Sequence, residues 1–101
     1  MYPGSVRPMP ERLQILRYEY VADIVERRAE HRDAHLEAIK RYADDDRIVI
    51  AGAVGDPPTS GLLVFRDAAE AEAFAEADPY VQAGLVVRRT VEPWTVVTPL
   101  P

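Results

Sequence analysis

The sequence predicts an α+β domain with the element order β-α-β-β-α-β, and three observations lead to that order. Residues 13–21 alternate between apolar and polar side chains over most of their length, which is the period of a strand. Residues 24–42 contain no glycine or proline and repeat their apolar side chains at helical spacing. Two apolar runs, residues 48–51 and 62–65, flank a loop at residues 52–61 that is rich in glycine and proline. This order is that of the ferredoxin-like fold, whose four strands form an antiparallel sheet.

The first predicted helix has one apolar side. Leu36 and Ile39 belong to its apolar stripe, and His35 falls within the same arc at about 100° per residue. Three consecutive aspartates at residues 44–46 oppose the dipole at the C-terminal end of a helix. The helix is therefore predicted to end there.

The second half of the chain predicts another helix and the last strand. Asp67 and Glu70 have the spacing of a capping box, and Phe74 belongs to the inward stripe of the helix that follows. Residues 85–97 are predicted to form the last strand. Because Pro93 lacks a backbone donor, that strand should lie at an edge of the sheet or contain a bulge.

Length and composition limit the class of protein. The 101 residues fit one domain, predicted at residues 12–98, after an irregular proline-containing arm at residues 1–11. The net charge of −5 and the absence of a basic block argue against nucleic acid or an anionic membrane as a partner. There is no cysteine, no secretory signal is visible, and no apolar run approaches the ~18 residues of a membrane helix. We therefore expect a cytoplasmic protein.

The two short strands predict a homodimer. Two helices can cover only one face of a four-stranded sheet. The runs at residues 48–51 and 62–65 are nevertheless apolar at consecutive positions, so both of their faces favour burial. A second copy of the chain, packed sheet to sheet, would cover the open face.

Several motifs together resemble the YciI-like family, of the dimeric α+β barrel type. The resemblance covers roughly residues 13–97 and is strongest in Ala-Phe-Ala-Glu-Ala-Asp-Pro-Tyr-Val-Gln-Ala-Gly-Leu-Val at residues 73–86. Arg-Asp-Ala-His-Leu at residues 32–36, Ala-Gly-Ala at 51–53, Asp-Pro-Pro at 56–58 and Pro-Trp at 93–94 also resemble family positions. The resemblance implies a small-molecule enzyme that uses a histidine–aspartate dyad, here His35 and Asp78. The wider superfamily includes cofactor-free lyases, isomerases and monooxygenases.

Both members of the dyad also have structural interpretations. His35 is either an inert, hydrogen-bonded helix histidine or a general base, for which the imidazole is suited near neutral pH. Asp78 precedes Pro79, a pair typical of a helix start, and Gly84 would end that short helix. Asp78 could cap this helix and orient the imidazole at the same time.

Three further residues are candidates for substrate binding. Arg32 lies three residues before His35 and is either a solvated arginine or a clamp for a carboxylate or enolate. Ser60, in the predicted loop, and Tyr80, in the strongest motif, could each donate a hydrogen bond.

The sequence predicts no metal and no cofactor. His31 and His35 have the i, i+4 spacing of metal ligands, but a third ligand would have to be a carboxylate such as Asp78, and no zinc-protease motif is present. No phosphate-cradling glycine motif is present either.

The function predicted from residues and resemblance is a cofactor-independent lyase or isomerase acting on a small molecule. His35 would move the proton, Asp78 would orient His35, and Arg32 or Tyr80 would stabilise negative charge. Two alternatives stay open at this point. One is a binding or accessory module without chemistry, and the other is a monooxygenase-like or peroxidase-like activity.

Overall fold

The computed structural model describes residues 10–100. The strands are β1 (Glu11–Tyr20), β2 (Ile48–Val54), β3 (Ser60–Phe65) and β4 (Val86–Val96), and the helices are α1 (Ile24–Arg27), α2 (Arg32–Asp44), α3 (Ala68–Ala77) and α4 (Pro79–Gln82). Most of the predicted arm, residues 1–9, lies outside the described residues. Glu11, predicted to belong to the arm, is already paired with Val96 in the sheet.

The four strands form one antiparallel sheet in the order β2-β3-β1-β4. This is the predicted ferredoxin-like topology. β4 lies at an edge, as Pro93 led us to expect, and Pro93 is paired with Gln14 of the neighbouring strand. The described helices contain none that is long and apolar enough to cross a membrane.

One face of the sheet is covered by helices and holds the main core. Alternate residues of β1 and β3 point to this face, among them Leu16 and Phe65, both 0% exposed. Phe74 of α3 packs on Phe65 with ring centroids 5.5 Å apart, and Ala71 packs into the same cluster. Burial of each large apolar side chain stabilises the fold by roughly 1.5–3 kcal/mol.

The opposite face of the sheet is apolar at its centre and lacks a helix layer. Leu13, Val64 and Val96 form a small buried cluster on this side. Around it, Ile50 is 57% exposed and Trp94 is 44% exposed. Both residues share this face, because Ile50 pairs with Val64 and Trp94 pairs with Leu13 across the strands.

The prediction of one continuous helix at residues 24–42 is wrong, because a turn separates α1 from α2. No glycine or proline explains the break. Ile24 packs on Tyr80 and Leu85, whereas α2 packs on β2, so tertiary contacts override the local helical preference. The predicted stripe is also only partly buried, since Leu36 is 43% exposed.

The predicted capping box at Asp67 does not form. Asp67 is the N-cap of α3 but its side chain makes no capping hydrogen bond, and Glu70 instead forms an ion pair with Arg47 at 3.2 Å. The hairpin loop is shorter than predicted, because β2 continues to Val54 and β3 begins at Ser60.

Candidate active site

His35 lies one turn into α2, on the side that faces the sheet, and is 5% exposed. Its ring stacks on the Tyr80 ring with centroids 3.7 Å apart and planes inclined by 7°. A stacked aromatic ring holds the imidazole in one orientation.

Asp78 lies beside His35 because it is the N-cap of α4. Its Oδ1 accepts a hydrogen bond from the Tyr80 backbone N–H at 3.0 Å, which is the predicted cap. The same oxygen lies 2.7 Å from His35 Nδ1, and Oδ2 accepts a hydrogen bond from the Tyr18 hydroxyl at 2.7 Å. The short helix then ends as predicted, with Gly84 at a φ of 74°. Asp78 therefore caps the helix and contacts the imidazole at once.

These contacts determine which imidazole nitrogen is free to act as a base. An ionised carboxylate accepts hydrogen bonds and cannot donate one. We therefore assign the proton of neutral His35 to Nδ1, where it points at Asp78. The lone pair then lies on Nε2, on the side of the ring away from Asp78.

His35 opens onto a cavity of about 190 Å³ between the start of α2 and the sheet. Arg28, Arg32, Tyr20 and Tyr80 contribute polar side chains to its wall. The remaining wall comes from small and apolar residues: Leu36, Ile39, Ala51, Gly52, Ala53 and Leu63. Larger depressions occur elsewhere on the described surface, including one of about 380 Å³ lined by Glu26 and His31, but that one does not contain His35.

The tyrosines around the pair are held in their neutral form. Burial raises the pKa of Tyr18, and the neighbouring Asp78 carboxylate raises it further. Burial raises the pKa of Tyr20 to about 12, with smaller contributions from Tyr80 and Asp78. Burial also raises the pKa of Tyr80, although the charges of Arg28 and Arg32 oppose the shift. All three hydroxyls therefore remain hydrogen-bond donors at neutral pH.

A glycine makes room for one of these phenols. The Tyr20 hydroxyl lies so close to Gly61 of β3 that a Cβ at position 61 would collide with it. Substitution of Gly61 would therefore displace the Tyr20 ring, which lines the cavity.

The structure brings together four of the five residues predicted for the site. Arg32 and Tyr80 line the cavity with His35, and Asp78 lies directly behind the imidazole. The structure does not bring Ser60 to this cavity. Ser60 begins β3, where it pairs with Glu19, and strand alternation turns it to the face opposite Gly61.

Sequence reasoning missed Tyr18, Tyr20 and Arg28. The alternation in β1 predicts Tyr18 on the same face as Leu16 but assigns it no role in a site. A buried tyrosine hydroxyl needs a hydrogen-bond partner, which is the signal that could have linked Tyr18 to a buried acid. The helical pattern could not indicate Arg28 as a site residue. It predicts one continuous helix, whereas Arg28 lies at the turn between α1 and α2.

The residues from 10 to 100 contain no group of three or more histidine, aspartate or glutamate side chains that could hold a metal ion. His31 lies at the N-cap of α2, where its Nε2 is 3.6 Å from Glu30.

The fold and site define a class of protein, an α+β domain of ferredoxin-like topology with a buried histidine–aspartate pair beside a small cavity. A family model described as the YCII-related domain matches residues 12–95, and the chain belongs to that family. Protein YciI of Escherichia coli O6:H1 is 33% identical over 84 residues, a match that spans 72% of this chain and 86% of YciI. Protein YciI of Shigella flexneri matches with the same identity and coverage.

Solved structures show the same fold at lower identity. The 5-chloro-2-hydroxyhydroquinone dehydrochlorinase of Burkholderia phenoliruptrix, in complex with 2,5-dihydroxybenzoquinone, has a TM-score of 0.68 and 22% identity, over 82% of this chain and 93% of that chain. A candidate antibiotic biosynthesis monooxygenase of Nitrosomonas europaea has a TM-score of 0.56 and 14% identity, over 89% of this chain and 93% of that chain. The chain therefore has the same α+β fold as these proteins.

Proposed function

We propose that this protein is a cofactor-independent enzyme of lyase or isomerase type that acts on a small molecule, with His35 as its general base. The observation that carries the proposal is the 2.7 Å contact between His35 Nδ1 and Asp78 Oδ1 beside a cavity. A carboxylate on one side of the imidazole and a cavity on the other are what a general base requires.

The proposed reaction begins with proton abstraction. Nε2 of His35 takes a proton from an acidic C–H or O–H of the substrate, while the proton on Nδ1 remains hydrogen-bonded to Asp78. The electron pair left on the substrate forms an enolate or phenolate, which the cationic Arg32 stabilises. In an elimination this pair expels a leaving group from the adjacent carbon. In an isomerisation the imidazolium returns the proton to a different atom.

Asp78 has the role of orienting His35 and stabilising the imidazolium. Its other contacts support that role, because the Tyr18 hydroxyl and the Tyr80 N–H prevent the carboxylate from turning away. A pair held by three hydrogen bonds requires little reorganisation when the charge on His35 changes.

The activity of one structural relative is compatible with this chemistry. A dehydrochlorinase eliminates HCl, which needs a proton acceptor and a leaving group but no change in oxidation state supplied by a cofactor. The identity of 22% shows only the fold, so the relative suggests a reaction class without assigning a substrate. A monooxygenase-like activity is supported by a likeness of fold alone.

We also propose that the protein forms a homodimer through the open face of the sheet. The exposed apolar residues Ile50 and Trp94 surround the buried cluster of Leu13, Val64 and Val96 on that face. A second copy would remove this surface from water.

The general-base proposal can be tested by proton exchange. A panel of small carbonyl compounds and phenols with acidic hydrogens is incubated with the protein in D₂O, and loss of the C–H signals is followed by proton NMR. We expect His35→Gln to abolish the exchange of any compound that the wild-type protein accelerates. His31→Gln is the matched control, because it removes the only other histidine of the chain and should retain the wild-type rate.

Circular dichroism of both variants establishes that they fold. Full activity of His35→Gln on a confirmed substrate would rule out His35 as the base. If compounds from the panel bind at the cavity but none exchanges or reacts, the binding-module alternative replaces the enzymatic one.

A further inference from the structure

We infer that the cavity in front of His35 binds a single-ring organic oxyanion, with Arg28 and Arg32 holding the anionic group. The inference rests on the proposed function only in taking the bound molecule to be the substrate. Three properties of the cavity support the inference: its charge, its hydrogen-bond donors and its volume.

The charge of the cavity is opposite to that of the protein. The chain has 17 acidic and 12 basic side chains and a net charge of −5. Among the residues that line the cavity there are two arginines and no aspartate or glutamate. Asp78 lies behind His35 and already accepts three hydrogen bonds. An anion therefore meets only positive charge inside this cavity.

The two arginines reach the same cavity because of the break between α1 and α2. Arg28 is the C-cap of α1, and Arg32 is the first residue of α2. The charge of Arg28 opposes the rise in the pKa of both Tyr20 and Tyr80, and the charge of Arg32 opposes it for Tyr80. Both arginines therefore line the same cavity as the two phenols, and both act on Tyr80.

The polar groups other than His35 are donors. A guanidinium group can only donate hydrogen bonds, and the neutral phenol hydroxyls can donate as well. Such a set suits a ligand with several acceptor oxygens, above all a carboxylate or an ionised enol or phenol, which arginine can bind in bidentate geometry. With the anionic oxygens at the arginines, the body of the ligand extends along the apolar wall toward Nε2 of His35.

The volume suits a ligand of about one ring. The cavity of about 190 Å³ is a little larger than a cavity of ~150 Å³, which is enough to bind benzene. It is smaller than the ~300–1,000 Å³ of sites for drug-sized ligands. Ile39, Ala51 and Leu63 supply an apolar wall against which a ring can pack.

Three probes of known size and charge test this inference by thermal shift and isothermal titration calorimetry at pH 7.5. Benzoate has one ring and an anionic group, benzamide is its neutral isostere, and 2-naphthoate adds a second ring. We expect benzoate to bind and to raise the melting temperature. Benzamide and 2-naphthoate should each bind about tenfold more weakly or worse, since benzamide lacks the charge and 2-naphthoate carries a second ring for which the cavity has little room.

Arginine variants locate the anion. Arg28→Gln and Arg32→Gln should each weaken benzoate binding about tenfold or more, because each removes a charged hydrogen-bond donor. Arg41→Gln is the matched control: Arg41 lies on α2 outside the cavity lining, and its loss should leave the affinity unchanged. A parallel titration with 4-nitrophenolate tells whether a carboxylate or a phenolate is preferred, and tighter binding of either one supports an oxyanion ligand.

Equal binding of benzoate and benzamide, an unchanged affinity in both folded arginine variants, or no benzoate binding would each overturn the inference. Its failure is separable from that of the proposed function. His35→Gln should lose proton exchange yet retain benzoate binding. If the wild-type protein binds benzoate through its arginines but exchanges no protons, the proposed enzymatic function is contradicted. The proposed oxyanion site is then still supported.

Discussion

The Tyr18 hydroxyl donates a 2.7 Å hydrogen bond to Asp78 Oδ2 across 60 positions of sequence. It joins the central strand β1 to the N-cap of α4, and both side chains are buried, at 0% and 1% exposure. The carboxylate that contacts His35 is thereby tied to the rigid centre of the sheet. The hydrogen bond makes Tyr18 a positioning residue for the pair.

Tyr18→Phe should lower the free energy of unfolding by about 1–3 kcal/mol, because it leaves a buried carboxylate oxygen without its donor. It should also slow proton exchange, since Asp78 is then less firmly held against His35. Urea denaturation measures the first effect and the D₂O assay the second. Tyr42→Phe is the control, because the Tyr42 ring packs on Phe65 and Phe74 and its hydroxyl is not among the groups that hydrogen-bond to Asp78. Equal losses of stability and rate in both variants would argue against a special role for Tyr18.

Asp78→Asn and Asp78→Ala separate capping from chemistry. Asparagine is as good an N-cap as aspartate, so Asp78→Asn should retain α4 but lose the charge that stabilises the imidazolium. Alanine loses the cap as well and should cost about 1 kcal/mol more in stability. We expect proton exchange to fall in both variants by a factor on the order of 10²–10⁴. If the Asp78→Asn protein exchanges protons at the wild-type rate, Asp78 only caps α4 and has no role in proton transfer.

The imidazole tautomer can be observed directly. Nitrogen-15 NMR of neutral His35 should show the proton on Nδ1 and the lone pair on Nε2, because Asp78 can only accept at Nδ1. His31→Gln leaves His35 as the only histidine and makes its signals unambiguous. If neutral His35 in the folded protein carries its proton on Nε2, that nitrogen has no lone pair and cannot be the proposed base.

Stability should fall at alkaline pH because of the buried tyrosines. Burial raises the pKa of Tyr20 from 10.0 to about 12, and it raises the pKa of Tyr18 as well. The unfolded chain loses these phenol protons first, so above pH ~10 it binds fewer protons than the folded chain and is favoured. The stability that the neutral, buried tyrosines contribute to the folded state is fully present below pH ~10 and is lost as the pH rises toward about 12.

Melting temperatures measured between pH 9 and pH 12, with phenolate absorbance at 295 nm, check this expectation. Tyr20→Phe should make the alkaline decline less steep, because it removes one of the shifted groups. A melting temperature that is constant over this range would contradict the burial of these hydroxyls.

The open face of the sheet predicts a concentration-dependent dimer. Ile50→Glu should shift the sedimentation coefficient to that of a monomer, because it places a charge on the apolar face. Val25→Glu changes another exposed apolar side chain, 43% exposed on α1, and should leave the oligomeric state unchanged. Trp94 is the only tryptophan, so its emission should move to longer wavelength when a dimer dissociates on dilution. A wild-type monomer at micromolar concentration would contradict the dimer.

Much of the fold could be predicted from patterns of neighbouring residues. The period of two in β1, the hairpin around the glycine-rich loop and the Asp78–Pro79 start of α4 are all local signals, and each element is present. Pro93 likewise indicated the edge strand, because a missing backbone donor is tolerated there. The break between α1 and α2 escaped prediction, since no residue at that position disfavours a helix.

The sequence by itself determined the element order, the cap at Asp78 and, through the family resemblance, the pairing of that aspartate with His35. Tertiary structure alone decided which other groups join them. Tyr18 comes from β1, Arg28 from the turn before α2 and Tyr20 from the end of β1, and Ser60 is turned away by the alternation of β3. The physical reason is that a site is built from contacts between distant segments, while periodicity and capping report only on residues a few positions apart.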